Sequence, residues 1–397
     1  MFTACGNQVK MNKSQEEAKL SKPELTINKP IVVAANRTDA YLPLLKGKSV
    51  GIVANQTSVI FKDRNNYTHL VDSLLSLQID IKKVFAPEHG FRGKADAGEA
   101  VKDDIDTKTG LPLLSLHGKN RKPSKELLKD LDIIVFDIQD VGVRFYTYIA
   151  TLQLVMEACA ENNIPILVLD RPNPNGHYID GPSMETEHTS FLGMTTIPLV
   201  YGMTIGEYAQ MINEEGWLES KNKADLTVIP LENYTHNSDY SLSIRPSPNL
   251  PNDNAINLYP SLGLFEGTNV NAGRGTEFQF QRYGASFLDS TQYSFSYTSQ
   301  SNFGSKYPKQ KGKISYGMDL SSVPKMGEVS LKWVIDAYTN CPDKNLFFLT
   351  NGFTKHAGTE KLQQQIEAGL SEEAIKETWQ QDLKDFKKIR EKYLIYP

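Results

Sequence analysis

Short apolar runs alternate with longer amphipathic stretches along the first 230 residues of the chain. The runs are rich in β-branched residues and lack apolar–polar alternation, which is typical of strands buried on both faces of a sheet. They lie at residues 50–54, 83–86, 113–116, 133–136, 166–169 and 226–229, with predicted helices at 69–77, 124–130, 146–162 and 203–215. This order predicts an α/β fold in which a Rossmann-like, mostly parallel sheet carries helices on both faces. The last of these helices begins with a capping-box pattern, Thr204 followed three residues later by Glu207.

The pattern changes after residue 245, where prolines, glycines and aromatic residues become frequent. We place a domain boundary near residue 280, which gives a Rossmann-like domain at 31–280, predicted to carry the chemistry, and a smaller α+β auxiliary domain at 281–397 that closes a cleft. An amphipathic helix is predicted over residues 371–393, with Ile375, Trp379, Leu383 and Phe386 on the face that docks onto the body.

Residues 1–30 are predicted to form a flexible tether. The opening Phe-Thr-Ala-Cys-Gly resembles the end of a lipoprotein signal, in which the residue corresponding to Cys5 carries the lipid. The apolar core of such a signal is missing, so we expect that the start is truncated; the alternative is that Cys5 is an incidental thiol. On the first interpretation the protein is periplasmic or membrane-anchored in the cell envelope, and a lipid on Cys5 is its contact with the membrane.

Composition excludes several classes of function. Lys and Arg number 43 against 47 Asp and Glu, which gives a net charge of -4. The protein as a whole therefore has no positive electrostatic field that would attract a nucleic acid backbone. No G-x-G-x-x-G follows the first strand and no G-x-S-x-G elbow follows a predicted strand, which disfavours dinucleotide binding and a serine hydrolase. The seven His are scattered, and the nearest cluster is Glu185-Thr-Glu187-His188 in a predicted loop. We therefore expect neither a cofactor nor a catalytic metal.

Polar clusters follow three of the predicted strands. The first holds Glu88, His89 and Arg92, the second holds Asp137, Asp140, Arg144 and Tyr146, and the third holds Asp170, Arg171 and Asn173. A single loop of this kind is most often an ion-paired turn. Because the carboxyl ends of parallel strands meet at one edge of the sheet, three such loops together predict a functional site there.

Longer segments resemble the signature blocks of the NamZ-type exo-β-N-acetylmuramidases. They are residues 85–93 (Phe-Ala-Pro-Glu-His-Gly-Phe-Arg-Gly), 137–148 (Asp-Ile-Gln-Asp-Val-Gly-Val-Arg-Phe-Tyr-Thr-Tyr), 169–176 (Leu-Asp-Arg-Pro-Asn-Pro-Asn-Gly), 202–207 (Gly-Met-Thr-Ile-Gly-Glu), 264–269 (Leu-Phe-Glu-Gly-Thr-Asn) and 273–276 (Gly-Arg-Gly-Thr). The resemblance implies an exo-acting hydrolase that releases N-acetylmuramic acid from the non-reducing ends of peptidoglycan fragments, in cell-wall turnover or salvage. It also implies a site between a Rossmann-like and an auxiliary domain.

Glycoside hydrolysis needs a proton donor for the leaving oxygen and usually a second carboxylate. We predict Glu88 as the donor and rank Glu266 first for the second role, ahead of Asp140 and Glu277. An alternative route uses the acetamido group of the substrate itself, with Asp140 orienting that group. The sequence leaves both routes open.

The lactyl carboxylate of muramic acid calls for arginine, whose planar guanidinium binds carboxylates through two hydrogen bonds. The predicted substrate-binding residues are His89, Arg92, Arg144, Tyr146, Asp170, Arg171, Asn173, Asn269 and Arg274. Some of these arginines are expected only to pair with neighbouring acids. Two alternative functions share the same features: a non-catalytic lipoprotein that binds wall fragments, and a glycosidase for another amino sugar such as N-acetylglucosamine.

Overall fold

A seven-stranded sheet forms the centre of the first 230 residues. The structure is a computed structural model that describes residues 1–3, 29–88, 90–92, 103–220 and 222–397. Its elements in this part are α1 (Thr38–Leu45), β1 (Ser49–Ala54), β2 (Val59–Phe61), β3 (Tyr67–His69), α2 (Leu70–Ser76), β4 (Asp80–Ala86), β5 (Asp104–Ile105), β6 (Pro112–Ser115), α3 (Lys125–Leu128), β7 (Ile133–Asp137), α4 (Tyr148–Asn162), β8 (Ile166–Leu169), β9 (Asp180–Ser183), β10 (Pro198–Val200), α5 (Ile205–Glu214) and β11 (Leu226–Ile229).

The strand order in the sheet is β11-β8-β7-β1-β4-β6-β5. Every neighbouring pair is parallel except β5 with β6. In the central strand β1, Ile52 lies opposite Val84 of β4 and Val135 of β7. All the strands predicted from apolar runs belong to this sheet, and the prediction of a mostly parallel sheet is confirmed.

Successive residues of each strand point to opposite faces, and each face packs against its own helices. Ile52 of β1 is buried in a cluster that includes Tyr41 of α1 and Leu74 of α2. The next residue, Val53, belongs to a second cluster that includes Leu152 of α4 and Ile212 of α5. Full burial of an apolar side chain of this size contributes about 1.5–3 kcal/mol, so the two clusters hold the three layers together.

Helix α5 begins at the predicted capping box. Thr204 accepts a hydrogen bond from the backbone N–H of Glu207 at 3.2 Å, and the Glu207 carboxylate accepts one from the N–H of Thr204 at 2.9 Å. Two N–H groups that the helix itself cannot satisfy are thereby bonded.

A small antiparallel sheet and a set of helices make up the remaining part. The elements are α6 (Asp253–Leu262), β12 (Arg282–Ala285), β13 (Phe295–Thr298), β14 (Ile314–Asp319), α7 (Lys332–Thr339), α8 (Thr350–Ala357), α9 (Lys361–Glu367), α10 (Glu372–Glu377) and α11 (Gln380–Arg390). The sheet order is β12-β14-β13. This arrangement agrees with the predicted α+β character of the C-terminal part.

The predicted single helix over 371–393 is wrong in one respect, because it is divided into α10 and α11. The break lies at Trp379, whose indole N–H donates to the Asp180 carboxylate at 3.2 Å. The apolar face predicted for this segment is nevertheless buried: Ile375, Trp379, Leu383 and Phe386 are at most 4% exposed. The segment packs onto the body as two helices.

The chain divides after Pro30 into two compact units, and all the elements described above belong to the second unit, Ile31–Pro397. Most of the predicted tether, including Cys5, lies outside the described residues. Among the helices that the structure describes, none has the length and apolar character needed to cross a membrane. The proposed domain boundary near residue 280 stays a prediction.

Candidate active site

A cleft of about 160 Å³ lies beside the carboxyl ends of β4 and β7. Its walls carry two of the three candidate glutamates, Glu88 and Glu266, and one of the candidate arginines. The lining residues are Glu88, Phe145, Tyr146, Thr147, Tyr148, Leu192, Ser247, Asn249, Leu250, Tyr259, Glu266, Arg274, Phe280 and His356. Residues from the parallel-sheet part and from the C-terminal part therefore both contribute to it.

Three larger cavities among the described residues contain none of the predicted site residues, and one of them, of about 440 Å³, is lined by Lys122 and Glu161 among others. One of about 350 Å³ is lined by Trp217 and Trp379 among others, and one of about 510 Å³ is lined by Asp239 and Lys325 among others. Size therefore does not identify the site. The combination of acids, an arginine and aromatic rings does so for the smaller cleft.

Glu88 projects from the loop that follows β4. A tight turn shapes this loop, since the N–H of Gly90, at a φ of 73°, donates to the carbonyl of Pro87 at 3.0 Å. Thr147 donates to the Glu88 carboxylate at 3.4 Å, and the Tyr148 hydroxyl donates to the Glu88 carbonyl at 3.4 Å. The start of α4 thus holds the half-buried carboxyl group at the cleft.

Glu266 and Arg274 form an ion pair in the part of the lining that comes from the C-terminal part of the chain. Their nearest atoms are 3.1 Å apart, and each side chain is about a quarter exposed, at 23% and 22%. Burial alone would raise the pKa of Glu266, but the positive charges of Arg274 and Lys309 outweigh it and lower that pKa. Lys309 is held nearby by hydrogen bonds from its ammonium to the carbonyls of Phe265 and Glu266. Glu266 is therefore ionised at neutral pH and is suited to a charged role rather than to proton donation.

Tyr259 and His356 also face the cleft, although neither was predicted. The ring of Phe145 lies between them, at 5.1 Å from the Tyr259 ring and 5.3 Å from the His356 ring. Phe145 itself lies against the backbone of Gly263, where a Cβ would come within 2.4 Å of Cζ. Because Gly263 has no side chain, the aromatic ring can occupy this position.

The two polar groups beside Phe145 have defined hydrogen-bonding roles. Burial, together with the charges of Glu266 and Glu88, raises the pKa of Tyr259, so its hydroxyl stays protonated and can donate. His356 has a pKa lowered by burial, and its Nδ1 lies 2.8 Å from the carbonyl of Gly352. Nδ1 must therefore carry the proton, which makes Nε2 a hydrogen-bond acceptor. A donor and an acceptor thus flank one phenylalanine ring.

Asp140, a candidate for the second acid, lies behind the cleft wall rather than in it. Its Oδ2 accepts from the Tyr201 hydroxyl and, at 2.7 Å, from the N–H of Gly142. Burial raises the pKa of Asp140 to about 6, although these hydrogen bonds lower it. Glu277, the remaining candidate, is exposed and does not line the cleft.

Arg144 lies inside the protein and does not line the cleft. Its guanidinium donates to the carbonyls of Pro182, Ile197, His356 and Ala357 at 2.7–3.0 Å. These bonds use the terminal N–H groups that would have bound a carboxylate. Arg144 therefore positions the end of α8, which carries His356.

The loop after β8 is likewise turned inward. Arg171 pairs with Asp137 through two hydrogen bonds of 2.6 and 2.8 Å, and both side chains are at most 2% exposed. Asp170 accepts from the hydroxyls of Tyr396 and Thr204, and Asn173 donates to the carbonyl of Met203. None of these three predicted binding residues reaches the cleft, because each has partners within the fold.

The other predicted binding residues divide between cleft and support. Tyr146 lines the cleft and donates to the carbonyl of Pro246 at 2.8 Å. Arg92 pairs with Asp106 at 2.8 Å outside the lining, and Asn269 donates to the carbonyl of Leu346 at 2.8 Å. His89 lies outside the described residues.

One cluster of metal-binding residue types occurs among the described residues. Ligand atoms of Glu185, Glu187 and His188 lie within 4.8 Å of one another. The ammonium of Lys361 is 2.7 Å from Glu185 and already supplies positive charge there. The cluster does not line the cleft.

Two family models match the chain one after the other. The model described as "Exo-beta-N-acetylmuramidase NamZ, N-terminal" matches residues 50–254, and its C-terminal counterpart matches residues 257–396. The chain belongs to the NamZ exo-β-N-acetylmuramidase family. The resemblance seen in the sequence blocks is therefore confirmed.

Relatives agree with this NamZ assignment over nearly the whole chain. The peptidoglycan β-N-acetylmuramidase NamZ of Bacillus subtilis (strain 168) is 40% identical over 377 residues, which cover 90% of this chain and 89% of the relative. A crystal structure of a DUF1343 family protein from Bacteroides fragilis NCTC 9343 has a TM-score of 0.84 at 44% identity and covers 93% of this chain and 99% of its own. A second structure from the same organism has a TM-score of 0.78 at 28% identity and covers 92% of this chain and 99% of its own.

The two NamZ models divide the cleft lining between them. Glu88, Phe145 and Tyr148 fall in the range matched by the N-terminal model, whereas Tyr259, Glu266 and His356 fall in the range matched by the C-terminal model. The cleft thus lies where the two parts of the NamZ fold meet.

Proposed function

We propose that this cleft is the active site of an exo-β-N-acetylmuramidase, which removes N-acetylmuramic acid from the non-reducing ends of peptidoglycan fragments. The observation that supports the proposal most directly is the cleft itself. Its lining combines Glu88 from the parallel-sheet part with the Arg274–Glu266 pair, Tyr259 and His356 from the C-terminal part. An acid, a carboxylate-binding cation and groups that recognise an amide are what this sugar requires.

Glu88 is the proton donor in this proposal. It lies at a strand end, where the start of α4 holds it by hydrogen bonds from Thr147 and Tyr148. A carboxylic acid placed there protonates the glycosidic oxygen as the bond to the leaving sugar breaks. General acid catalysis of this kind contributes about 10²–10⁴ in rate.

Arg274 binds the lactyl carboxylate that distinguishes muramic acid from glucosamine. Among the predicted arginines whose placement the structure describes, it is the one that lines the cleft. Its pairing with Glu266 orients the guanidinium, and one planar group can bridge two carboxylates. Selectivity for muramic acid then arises from a single charged contact.

Tyr259 and His356 suit the acetamido group of the sugar. An amide needs a donor for its carbonyl and an acceptor for its N–H, which the Tyr259 hydroxyl and Nε2 of His356 supply. The ring of Phe145 between them is an apolar surface for the methyl group. The acetamido group would thus be held on three sides.

Glu266 supplies the second carboxylate in this proposal, acting on the sugar carbon or on water. In the alternative route the acetamido carbonyl attacks the carbon, and Glu266 only holds Arg274. Addition of azide to Glu266→Ala distinguishes them: recovery of activity supports the carboxylate route, and no recovery supports the acetamido route.

The central test uses aryl β-N-acetylmuramide and aryl β-N-acetylglucosaminide as substrates. We expect hydrolysis of the muramide alone, and a loss of at least 100-fold in kcat for Glu88→Gln. Glu277→Gln is the matched control, since Glu277 is exposed and lies outside the cleft lining. Full activity of Glu88→Gln, or preference for the glucosaminide, contradicts the proposal.

We also propose that the protein acts in the cell envelope, anchored through a lipid on Cys5. The proposal rests on the lipoprotein-like residues Phe-Thr-Ala-Cys-Gly at the start of the chain and on the location of peptidoglycan. Labelling of cells with an alkyne fatty acid should tag the protein. Cys5→Ser should abolish the label, and a label that persists contradicts the anchor.

A further inference from the structure

A loop of residues 299–309, called here the rim loop, is bound to the segment that carries Glu266 and Arg274. At its start, the N–H of Gln300 donates to the carbonyl of Gly275 at 2.9 Å. At its end, the carbonyl of Lys309 accepts from the Asn271 side chain at 2.8 Å, and the Lys309 ammonium donates to the Glu266 carbonyl at 2.8 Å. Both ends of the loop are therefore held at the C-terminal wall of the cleft.

Close packing also fixes the middle of the rim loop. Gly275 has a φ of 77°, and a Cβ there would lie 2.5 Å from the carbonyl oxygen of Gln300 and 2.6 Å from Pro308. The carbonyl of Gly304 accepts from Asn249, a cleft-lining residue, at 2.6 Å. The carbonyl of Gly304 also lies 3.5 Å from the guanidinium of Arg274, so the middle of the rim loop lies beside two residues of the cleft lining.

Two aromatic side chains of this anchored loop point into solvent. Phe303 is 64% exposed and Tyr307 is 89% exposed. Neither makes a ring contact with another aromatic residue in the described part of the chain, and the Lys311 ammonium lies 5.9 Å from the Tyr307 ring. Side chains this exposed contribute little to the stability of the fold, and large aromatic side chains supply much of the contact area where proteins bind ligands.

We propose that Phe303 and Tyr307 form a binding site for the sugar on the leaving-group side of the cleaved bond. The inference rests on the proposed function. An exo-acting enzyme encloses the terminal sugar of its substrate in the cleft. The second sugar of the bound chain must therefore lie outside the cleft, at its rim. The C–H face of a pyranose ring packs on aromatic rings, and the ligand is therefore the amino sugar linked β-1,4 to the terminal muramic acid.

The two aromatic residues act on binding of the second sugar and not on the chemistry in the cleft. Their replacement should therefore weaken binding of ligands that have a second sugar and leave binding of a single sugar unchanged. The disaccharide in which N-acetylmuramic acid is linked β-1,4 to N-acetylglucosamine reaches the rim loop, whereas free N-acetylmuramic acid fills the cleft alone. An aryl glycoside is unsuitable here, because its aromatic leaving group would itself pack on the two rings.

The experiment compares kcat/KM for the disaccharide with the inhibition constant of free N-acetylmuramic acid. We expect Phe303→Ala and Tyr307→Ala each to lower kcat/KM by about three- to tenfold and the double variant to lower it further. The inhibition constant should stay within twofold of the wild type in all three. Phe303→Trp and Tyr307→Phe should retain activity, because each keeps a ring. Tyr67→Ala removes an exposed aromatic residue, 47% exposed, outside the rim loop and should change neither quantity.

Failure of the leaving-group site and failure of the proposed function give different results. If the double variant hydrolyses the disaccharide as well as the wild type, or if free N-acetylmuramic acid binds more weakly by the same factor, the leaving-group site is overturned while the proposed function stands. If the wild type hydrolyses neither the disaccharide nor the aryl muramide, the proposed function is overturned.

Discussion

Arg144 donates a hydrogen bond of 3.0 Å to the carbonyl oxygen of His356, which lies 212 residues further along the chain. The same guanidinium also holds the carbonyl of Ala357, so it fixes the end of the helix that presents the His356 ring to the cleft. Arg144, which was predicted to bind substrate, instead positions His356, a residue that lines the cleft.

Replacement of Arg144 should therefore lower stability first. In Arg144→Met, four buried carbonyls lose their donor, and a loss of about 3 kcal/mol or more in the free energy of unfolding is expected. Urea denaturation measures it. Arg64→Met is the control, because Arg64 is exposed and bonds only Ser241 among the described contacts; it should change stability by less than about 0.5 kcal/mol. Equal effects of the two changes would contradict the supporting role of Arg144.

Sugar selectivity should depend on Arg274. Removal of its guanidinium in Arg274→Ala is expected to lower kcat/KM for the muramide by about 30-fold or more, since a charge-assisted contact of two hydrogen bonds is lost. Binding of free N-acetylglucosamine, which has no lactyl carboxylate, should change far less. Arg92→Ala provides the comparison, because Arg92 pairs with Asp106 outside the cleft lining. Similar losses for both sugars would argue against carboxylate recognition by Arg274.

Recognition of the acetamido group is tested at Tyr259. Tyr259→Phe keeps the ring packed on Phe145 but removes the hydroxyl, and should weaken inhibition by N-acetylmuramic acid about tenfold. An analogue with a hydroxyl in place of the acetamido group should bind the variant and the wild type alike. Tyr67→Phe, at an exposed site, should leave both ligands unaffected. If the variant loses the same factor for both ligands, Tyr259 does not contact the acetamido group.

Stability should fall with rising pH because of Asp170. Burial, together with Glu207, raises the pKa of Asp170 to about 7, although hydrogen bonds from Tyr396, Thr204 and Gly206 lower it. The unfolded chain releases this proton near pH 3.9, so the folded protein binds more protons between about pH 4 and pH 7. The free energy of unfolding then decreases as pH rises through that window.

Denaturation curves across the same range check this expectation. Asp170→Asn cannot titrate, and its free energy of unfolding should vary less steeply with pH than that of the wild type. Asp140, whose pKa is raised by burial to about 6, adds a contribution of the same sign in both proteins. An identical slope in wild type and variant would show that Asp170 is ionised in the folded protein throughout.

The central strands β1, β7 and β8 were predictable because their side chains are buried on both faces, which leaves a continuous apolar signal in the sequence. The capping box at Thr204 and Glu207 was equally local and is also confirmed. The division of the final helix at Trp379 was not predictable, since it accompanies a hydrogen bond to Asp180, which lies 199 residues earlier.

The loops after β4 and β7 lie beside the cleft, whereas the directions of the side chains in the predicted loops differ from those expected. Glu88, Tyr146, Glu266 and Arg274 line the cleft, whereas Arg144 and Arg171 are turned inward. A loop arginine gives the same local signal in both cases, because its direction depends on carbonyls and acids distant in sequence. Tyr259 and His356 lie on helices, to which reasoning from strand ends does not apply.

The division of the cleft between two stretches of chain has a consequence for fragments of the protein. A piece that ends before Tyr259 contains the acid Glu88 but lacks Arg274 and His356, and a piece that begins there contains the sugar-holding groups without the acid. On the proposed function, neither product of interrupted synthesis or of a single proteolytic cut would hydrolyse peptidoglycan. The proposed active site is complete only when both stretches have folded against each other.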